Sequence, residues 1–199
     1  MITIIDYAVN NLNSVEKAFR SLKIPVEITE NTRKIREADK LVLPGVGAFG
    51  DAVNNLKTKK IFELLREKAE TGTPILGLCL GLQLFFTESE EFGPVSGLDF
   101  IHGKVQRLPK TVQVPHIGWN QLYLLKSDPL LKGVNQGSFV YFVHSYYATP
   151  FNQDYVLATT EYGTQFTAVV RKKNVWATQF HPEKSQDIGL RILHNFSLI

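Results

Sequence analysis

Cys79 is the only cysteine in this 199-residue chain, and its neighbours are those of a nucleophile. The apolar run Pro74-Ile75-Leu76-Gly77-Leu78 precedes it and reads as a buried strand. Leu80-Gly81-Leu82-Gln83-Leu84-Phe85-Phe86 follows and reads as a helix. Gly77 and Gly81 flank the cysteine by two on each side. Gly-x-Cys-x-Gly is the thiol counterpart of the nucleophile elbow, a tight strand-to-helix turn that needs residues without Cβ beside its crowded centre. The free N–H groups and dipole of a helix N-terminus also favour a thiolate. A lone cysteine equally fits a small buried hydrophobe, so the rest of the chain must supply the other parts of a site.

A thiol nucleophile needs a base that takes its proton and passes one to the leaving group. Five histidines are available: His102, His116, His144, His181 and His194. His181 ends an apolar run and is followed two positions later by Glu183. On an extended segment, residues i and i+2 point the same way. A carboxylate there can hold one ring nitrogen while the other faces the thiol, which makes Cys79, His181 and Glu183 a candidate triad. An acyl-transfer site also needs donors for an oxyanion. Pro44-Gly45-Val46-Gly47-Ala48-Phe49-Gly50 offers bare backbone N–H groups at Gly45, Val46 and Gly47, to be paired with the N–H of Leu80. The same stretch spells Gly-x-Gly-x-x-Gly, but it follows the third strand, opens on proline and lacks an acidic strand end about 20 residues on, as a dinucleotide site requires. No Lys-Ser/Thr pair follows for a phosphate loop. A plain glycine turn is the other reading of it.

The elements that must position these groups fall into two styles. The first half alternates strand and helix: strand at 2–5, helix with Leu12, Val15, Phe19 and Leu22 on one face, strands at 25–29 and 40–43, helices at 52–56 and 61–69, and the strand at 74–78. Repeats of that length imply a parallel sheet covered on both faces. The second half reads as strands at 104–108, 121–125, 139–143, 155–160, 166–171 and 175–180, closed by a helix at 187–196 that Ser185 is placed to cap. The expectation is one α/β domain over residues 1–199 with an added, mostly antiparallel section.

Composition narrows the partners. A hydrophobic fraction of 44% with 21% charged residues is that of a soluble globular chain. The 22 basic and 19 acidic residues are interspersed, with no basic run of the kind that marks a nucleic-acid arm. One cysteine excludes an internal disulfide and a cysteine-based zinc cluster, and fits a reducing compartment. The opening Met-Ile-Thr-Ile-Ile-Asp reads as a first strand, not a leader, and no stretch approaches the roughly 18 apolar residues of a membrane span. A cytoplasmic enzyme is expected. Trp119 and Tyr141, if exposed, would be interface anchors.

Together these segments resemble the class I (triad) glutamine amidotransferases and, within them, the glutaminase subunits of imidazole glycerol phosphate synthase. The resemblance runs nearly end to end. It rests on Ile4-Ile5-Asp6-Tyr7, Asn11-Leu12-Asn13-Ser14-Val15, Leu43 to Gly50, Gly77 to Gln83, Pro115-His116-Ile117-Gly118-Trp119-Asn120, Tyr141-Phe142-Val143-His144-Ser145-Tyr146 and Gln179-Phe180-His181-Pro182-Glu183-Lys184-Ser185. It implies a three-layer, open, largely parallel sheet of flavodoxin-like type with helices on both faces. Cys79 would attack the glutamine side-chain amide, the Val46 and Leu80 region would hold the oxyanion, and His181, oriented by Glu183, would protonate the departing ammonia. Gln83, Glu91, His144, Ser145 and Tyr146 match positions that hold glutamine. Trp119, Tyr141 and Lys184 match the face against a (β/α)8 cyclase partner in a heterodimer, through which ammonia reaches the nucleotide that becomes imidazole glycerol phosphate and AICAR. The resemblance implies no metal or other cofactor, and neither nucleic acid nor membrane as partner.

One segment departs from the family pattern. Where the family reads Asp-Tyr-Gly-x-Gly-Asn-Leu, this chain has Asp6-Tyr7-Ala8-Val9-Asn10-Asn11-Leu12. Asn10 suits a positive φ in place of glycine, whereas Ala8 does not. The departure points to the alternative of a paralogue feeding ammonia to another acceptor, such as a surface sugar. A non-catalytic amidotransferase-like binding subunit is the remoter alternative, opposed by the presence of Cys79, His181 and Glu183.

Overall fold

The structure is a computed structural model that describes residues 1–199. Its strands are β1 (Ile2–Ile5), β2 (Val26–Thr29), β3 (Lys40–Leu43), β4 (Ile75–Leu78), β5 (Phe86–Ser89), β6 (Val95–Ser96), β7 (Ile101–Arg107), β8 (His116–Gln121), β9 (Tyr123–Leu124), β10 (Phe139–His144), β11 (Tyr146–Pro150), β12 (Val156–Glu161), β13 (Gln165–Lys172) and β14 (Val175–Thr178). The helices are α1 (Leu12–Ser21), α2 (Thr32–Glu37), α3 (Phe49–Thr58), α4 (Phe62–Glu70), α5 (Leu80–Leu84) and α6 (Gln186–Leu198).

An eight-stranded sheet runs β2-β1-β3-β4-β14-β13-β12-β9. Its first five strands are parallel, in the flavodoxin-like order, and the last three are antiparallel additions. The inner strands Ile-Thr-Ile-Ile, Ile-Leu-Gly-Leu and Val-Trp-Ala-Thr are buried along their whole length, as a sheet covered on both faces demands. Alternate residues feed two cores. Ile5, Leu41, Leu43 and Ile75 pack with α2, α3, α4 and α5, while Ile2, Ile4, Val42 and Leu76 pack with α1 and α6. This is the expected three-layer arrangement. Two small sheets, β11-β7-β5-β6 and β10-β8, carry the rest of the second half.

Several expectations need correction. The helix after Cys79 ends at Leu84, because Phe86 leaves it to pair with Ile101 and start β5. The expected strand at 121–125 divides at the fully buried Leu122: β8 pairs with β10, and β9 joins the edge of the main sheet. The strand at 175–180 stops at Thr178, where the chain turns toward the site. Helix α2 is an addition to the expected elements, and the Asn31 side chain caps it by accepting from the N–H groups of Arg33 and Lys34. Ser185 does not cap α6 with its side chain. Its hydroxyl donates to the His181 carbonyl at 2.7 Å and accepts from the Tyr141 N–H at 2.9 Å, tying β10 to the histidine turn.

The first loop settles differently from its sequence. Ala8 does hold a positive φ, at 65°, and the second left-handed residue is Asn11 at 82°, not Asn10. An L-residue there costs about 1–2 kcal/mol, of which glycine's extra freedom offsets about 0.5–1 kcal/mol. Ala8→Gly is therefore expected to stabilise the protein by about 0.5–1 kcal/mol. The readout is a higher urea midpoint at unchanged slope; a lower midpoint would show the loop to be unstrained.

Candidate active site

Parallel pairing brings the chemistry together. Leu43 pairs with Gly77, and Leu78 with Thr178, so the carboxyl ends of β3, β4 and β14 lie side by side. The glycine loop, Cys79 and the His181 turn emerge there, and the loop after β1 joins them. Ligands of open α/β sheets bind at this edge.

Cys79 sits in the sharp turn with φ 54° and ψ −104° and is 5% exposed. The flanking glycines are demanded by contact. A Cβ on Gly77 would lie 2.8 Å from the Gly81 backbone, and one on Gly81 would lie 1.9 Å from the Leu43 carbonyl oxygen. Gly45 packs against the same elbow, where a Cβ would meet the Tyr7 hydroxyl at 2.5 Å and the Leu80 Cβ at 2.9 Å. The glycine loop thus serves close approach to the cysteine turn.

His181 Nδ1 donates to Glu183 Oε1 at 2.7 Å, with both side chains buried. The sequence argument reached the right pair by a different local geometry: Pro182–Lys184 is a 3-10 turn, not an extended segment. Burial alone would lower the His181 pKa. The charge on the Cys79 sulphur and the hydrogen-bonded carboxylate of Glu183 outweigh that and push it up to about 10. The upward shift favours the protonated ring, which is suited to giving a proton to a leaving amine.

Around this line lies a pocket of about 240 Å³, walled by Val46, Gly47, Cys79, Leu80, Gln83, Glu91, Pro115, Val143, His144, Ser145 and Tyr146. Every expected glutamine-site residue is on that wall. Gln83 Nε2 donates to the Tyr146 carbonyl at 2.9 Å, and Glu91 Oε2 accepts from the Phe49 N–H at the start of α3 at 2.7 Å. Of the expected oxyanion donors, the Leu80 N–H is committed within the loop: it donates to the Gly45 carbonyl oxygen at 3.4 Å. Gly47 has φ 108°, a conformation that favours glycine, although a Cβ there would meet open space.

Trp119, Tyr141 and Lys184 form a separate group on the outer side. Trp119 is 45% exposed, its ring lies 6.0 Å from that of Tyr141, and Lys184 Nζ lies 5.9 Å above the Tyr141 ring. The β8–β10 register adds Ile117 and Phe139, both exposed, to one apolar face.

Sequence reasoning missed four contributors. Asn11 Nδ2 donates to Glu183 Oε1, which its positive φ makes possible. Tyr7, fully buried, donates its hydroxyl to the Pro44 carbonyl at 2.6 Å. Burial first, and the Cys79 charge second, hold its phenol protonated far above the usual range. Gln179 reaches the sulphur with its side-chain amide. His116 joins His144 in a neutral relay: His144 Nδ1 donates to the Tyr146 carbonyl at 3.0 Å, leaving Nε2 to accept from His116 Nδ1 at 3.1 Å. Burial pulls these two down to about 3 and about 4, so neither is charged at neutral pH.

A cysteine elbow, a His–Glu pair in the turn after the adjoining strand and a glycine loop on the other side define a class I glutamine amidotransferase. The model of that family, glutamine amidotransferase class-I, matches residues 3–198. The chain belongs to this family. It is 50% identical to imidazole glycerol phosphate synthase subunit HisH of Syntrophotalea carbinolica, over 98% of each chain. It is 49% identical to the HisH subunit of Moorella thermoacetica, over 98% of this chain and 93% of the other. Its branch of the family is that of the HisH subunits. Among solved structures, one described as a glutamine amidotransferase superposes with a TM-score of 0.78 at 19% identity, covering 98% and 99% of the two chains. PurLQS from Thermotoga maritima gives 0.73 at 17% identity, with 98% and 96% covered, which speaks for the fold alone.

Proposed function

We propose that this chain, as one domain over residues 1–199, is the glutaminase subunit of an imidazole glycerol phosphate synthase in histidine biosynthesis. The observation that carries the chemistry is the buried Cys79–His181–Glu183 line opening on the pocket. The Cys79 thiolate attacks the side-chain carbonyl carbon of glutamine, and the carbonyl oxygen takes the negative charge beside the Val46–Gly47 backbone, displacing the Gly45 carbonyl oxygen from the Leu80 N–H. His181 gives its proton to the nitrogen, the C–N bond breaks and ammonia leaves. His181 then takes a proton from water, the hydroxide attacks the thioester, and glutamate departs as the C–S bond breaks. Glu183 keeps the ring oriented throughout, and Gln83, Glu91, His144, Ser145 and Tyr146 hold the rest of the glutamine.

The ammonia goes to a cyclase subunit of (β/α)8 fold, docked on the face carrying Trp119, Tyr141 and Lys184. That face is apolar, exposed and continuous with Val143 of the pocket wall. End-to-end identity near one half with HisH subunits favours this acceptor over a surface sugar. No helix is long and apolar enough to cross a membrane.

The test is glutamate release from glutamine with and without a histidine-pathway cyclase and its nucleotide. At least about tenfold stimulation is expected. No stimulation, with Cys79 still reactive toward a glutamine-mimicking electrophile, would assign the same chemistry to another acceptor. On the same complex, Trp119→Ala is expected to weaken cyclase affinity by about tenfold or more while leaving the melting temperature in place. Unchanged affinity would remove Trp119 from the interface.

A further inference from the structure

We propose that Gln179 is a fourth catalytic group, its side-chain N–H donating to the Cys79 sulphur and stabilising the thiolate. This rests on the reading of Cys79 as the nucleophile. Gln179 is fully buried, and its own backbone N–H is already committed to the Ala168 carbonyl at 2.9 Å. The side chain makes one polar contact in the whole protein, from Nε2 to Cys79 Sγ at 3.9 Å, while its Oε1 is buried with no partner. An amide buried at that disadvantage destabilises the fold relative to an apolar side chain of the same length. The contact with sulphur is what it obtains in return.

The sulphur needs such a donor. Besides Gln179 and His181, the sulphur meets the Val143 carbonyl oxygen at 3.7 Å, which accepts from a neutral thiol but repels a thiolate. His181 opposes that repulsion only while it carries its second proton, and it gives that proton to the departing ammonia. The amide of Gln179 cannot transfer a proton, so its N–H favours negative charge on sulphur at both moments that matter. One is when the thiolate attacks; the other is when it is expelled from the thioester.

The test uses Gln179→Met, which keeps the length and removes the donor. The rate of Cys79 alkylation by iodoacetamide is measured against pH. The pH of half-maximal rate is expected to rise by about one unit relative to the wild-type protein. In the hydrolysis assay kcat falls about tenfold while KM stays within about twofold. The melting temperature holds or rises, because the orphaned oxygen is gone; a packing role would lower it. An alkylation profile superimposable on wild type would overturn the proposal. So would a loss of stability with kcat and KM unchanged. Gln179→Asn, which draws the amide back from the sulphur, shifts the profile in the same direction and serves if the methionine variant does not fold. Cys79→Ala is run in parallel: hydrolysis surviving that change would defeat the nucleophile reading, whatever Gln179 does.

Discussion

Cys79→Ala is expected to lower glutamine hydrolysis by at least about 10⁴-fold, to the level left by binding and backbone donors alone. The fold should survive it. Alanine meets the same backbone strain as cysteine at φ 54°, and losing one buried sulphur costs on the order of 1 kcal/mol. Steady-state glutamate release and a thermal melt on the same sample decide the matter. Activity within tenfold of wild type would sink the thioester mechanism. An unfolded variant would shift attention to the packing of the elbow.

Gly81→Ala carries the largest expected loss of stability, about 3 kcal/mol or more. The added Cβ would lie 1.9 Å from the Leu43 carbonyl oxygen, and β3 cannot yield because Leu43 is paired to Gly77 of β4 in the centre of the sheet. Relief by tilting α5 would carry Leu80, and with it an oxyanion donor, out of place. Gly50→Ala supplies the control. It lies in α3, where a Cβ meets only Val95 at 3.7 Å, so urea midpoints should separate the two by most of the expected loss. Equal midpoints would mean that the elbow tolerates a side chain and that its glycines are not set by contact.

Local chemistry was the legible part of this protein. Gly77 and Gly81 around one cysteine announced a turn that the backbone then adopts, and an apolar strand before each catalytic loop announced the parallel sheet. His181 and Glu183 were close enough in the chain to be paired correctly even though the assumed strand is a 3-10 turn. What escaped depends on register between distant segments. His116 and His144 meet because β8 and β10 pair, and β8 had not been read as a strand. Asn11 reaches Glu183 across 172 positions from a left-handed conformation. Gln179 sits one residue beyond a strand end, and nothing in its own neighbours says that its amide turns toward sulphur. Ala8 shows the reverse case: the rule that alanine avoids positive φ was sound, but the loop geometry overrode it.

The order in which the chain is made gives the sheet topology a further meaning. The strand that carries the histidine, β14, is inserted beside β4 at a separation of 100 residues, and it alone joins the parallel strands to the antiparallel ones. A nascent chain that has reached Thr164 already holds its thiol, glycine loop and the whole pocket wall. It has neither His181 nor the strand β14 that joins the two parts of the main sheet. Translation therefore adds His181 and Glu183 after every other part of the candidate site. The same long-range closure places it among slowly folding topologies.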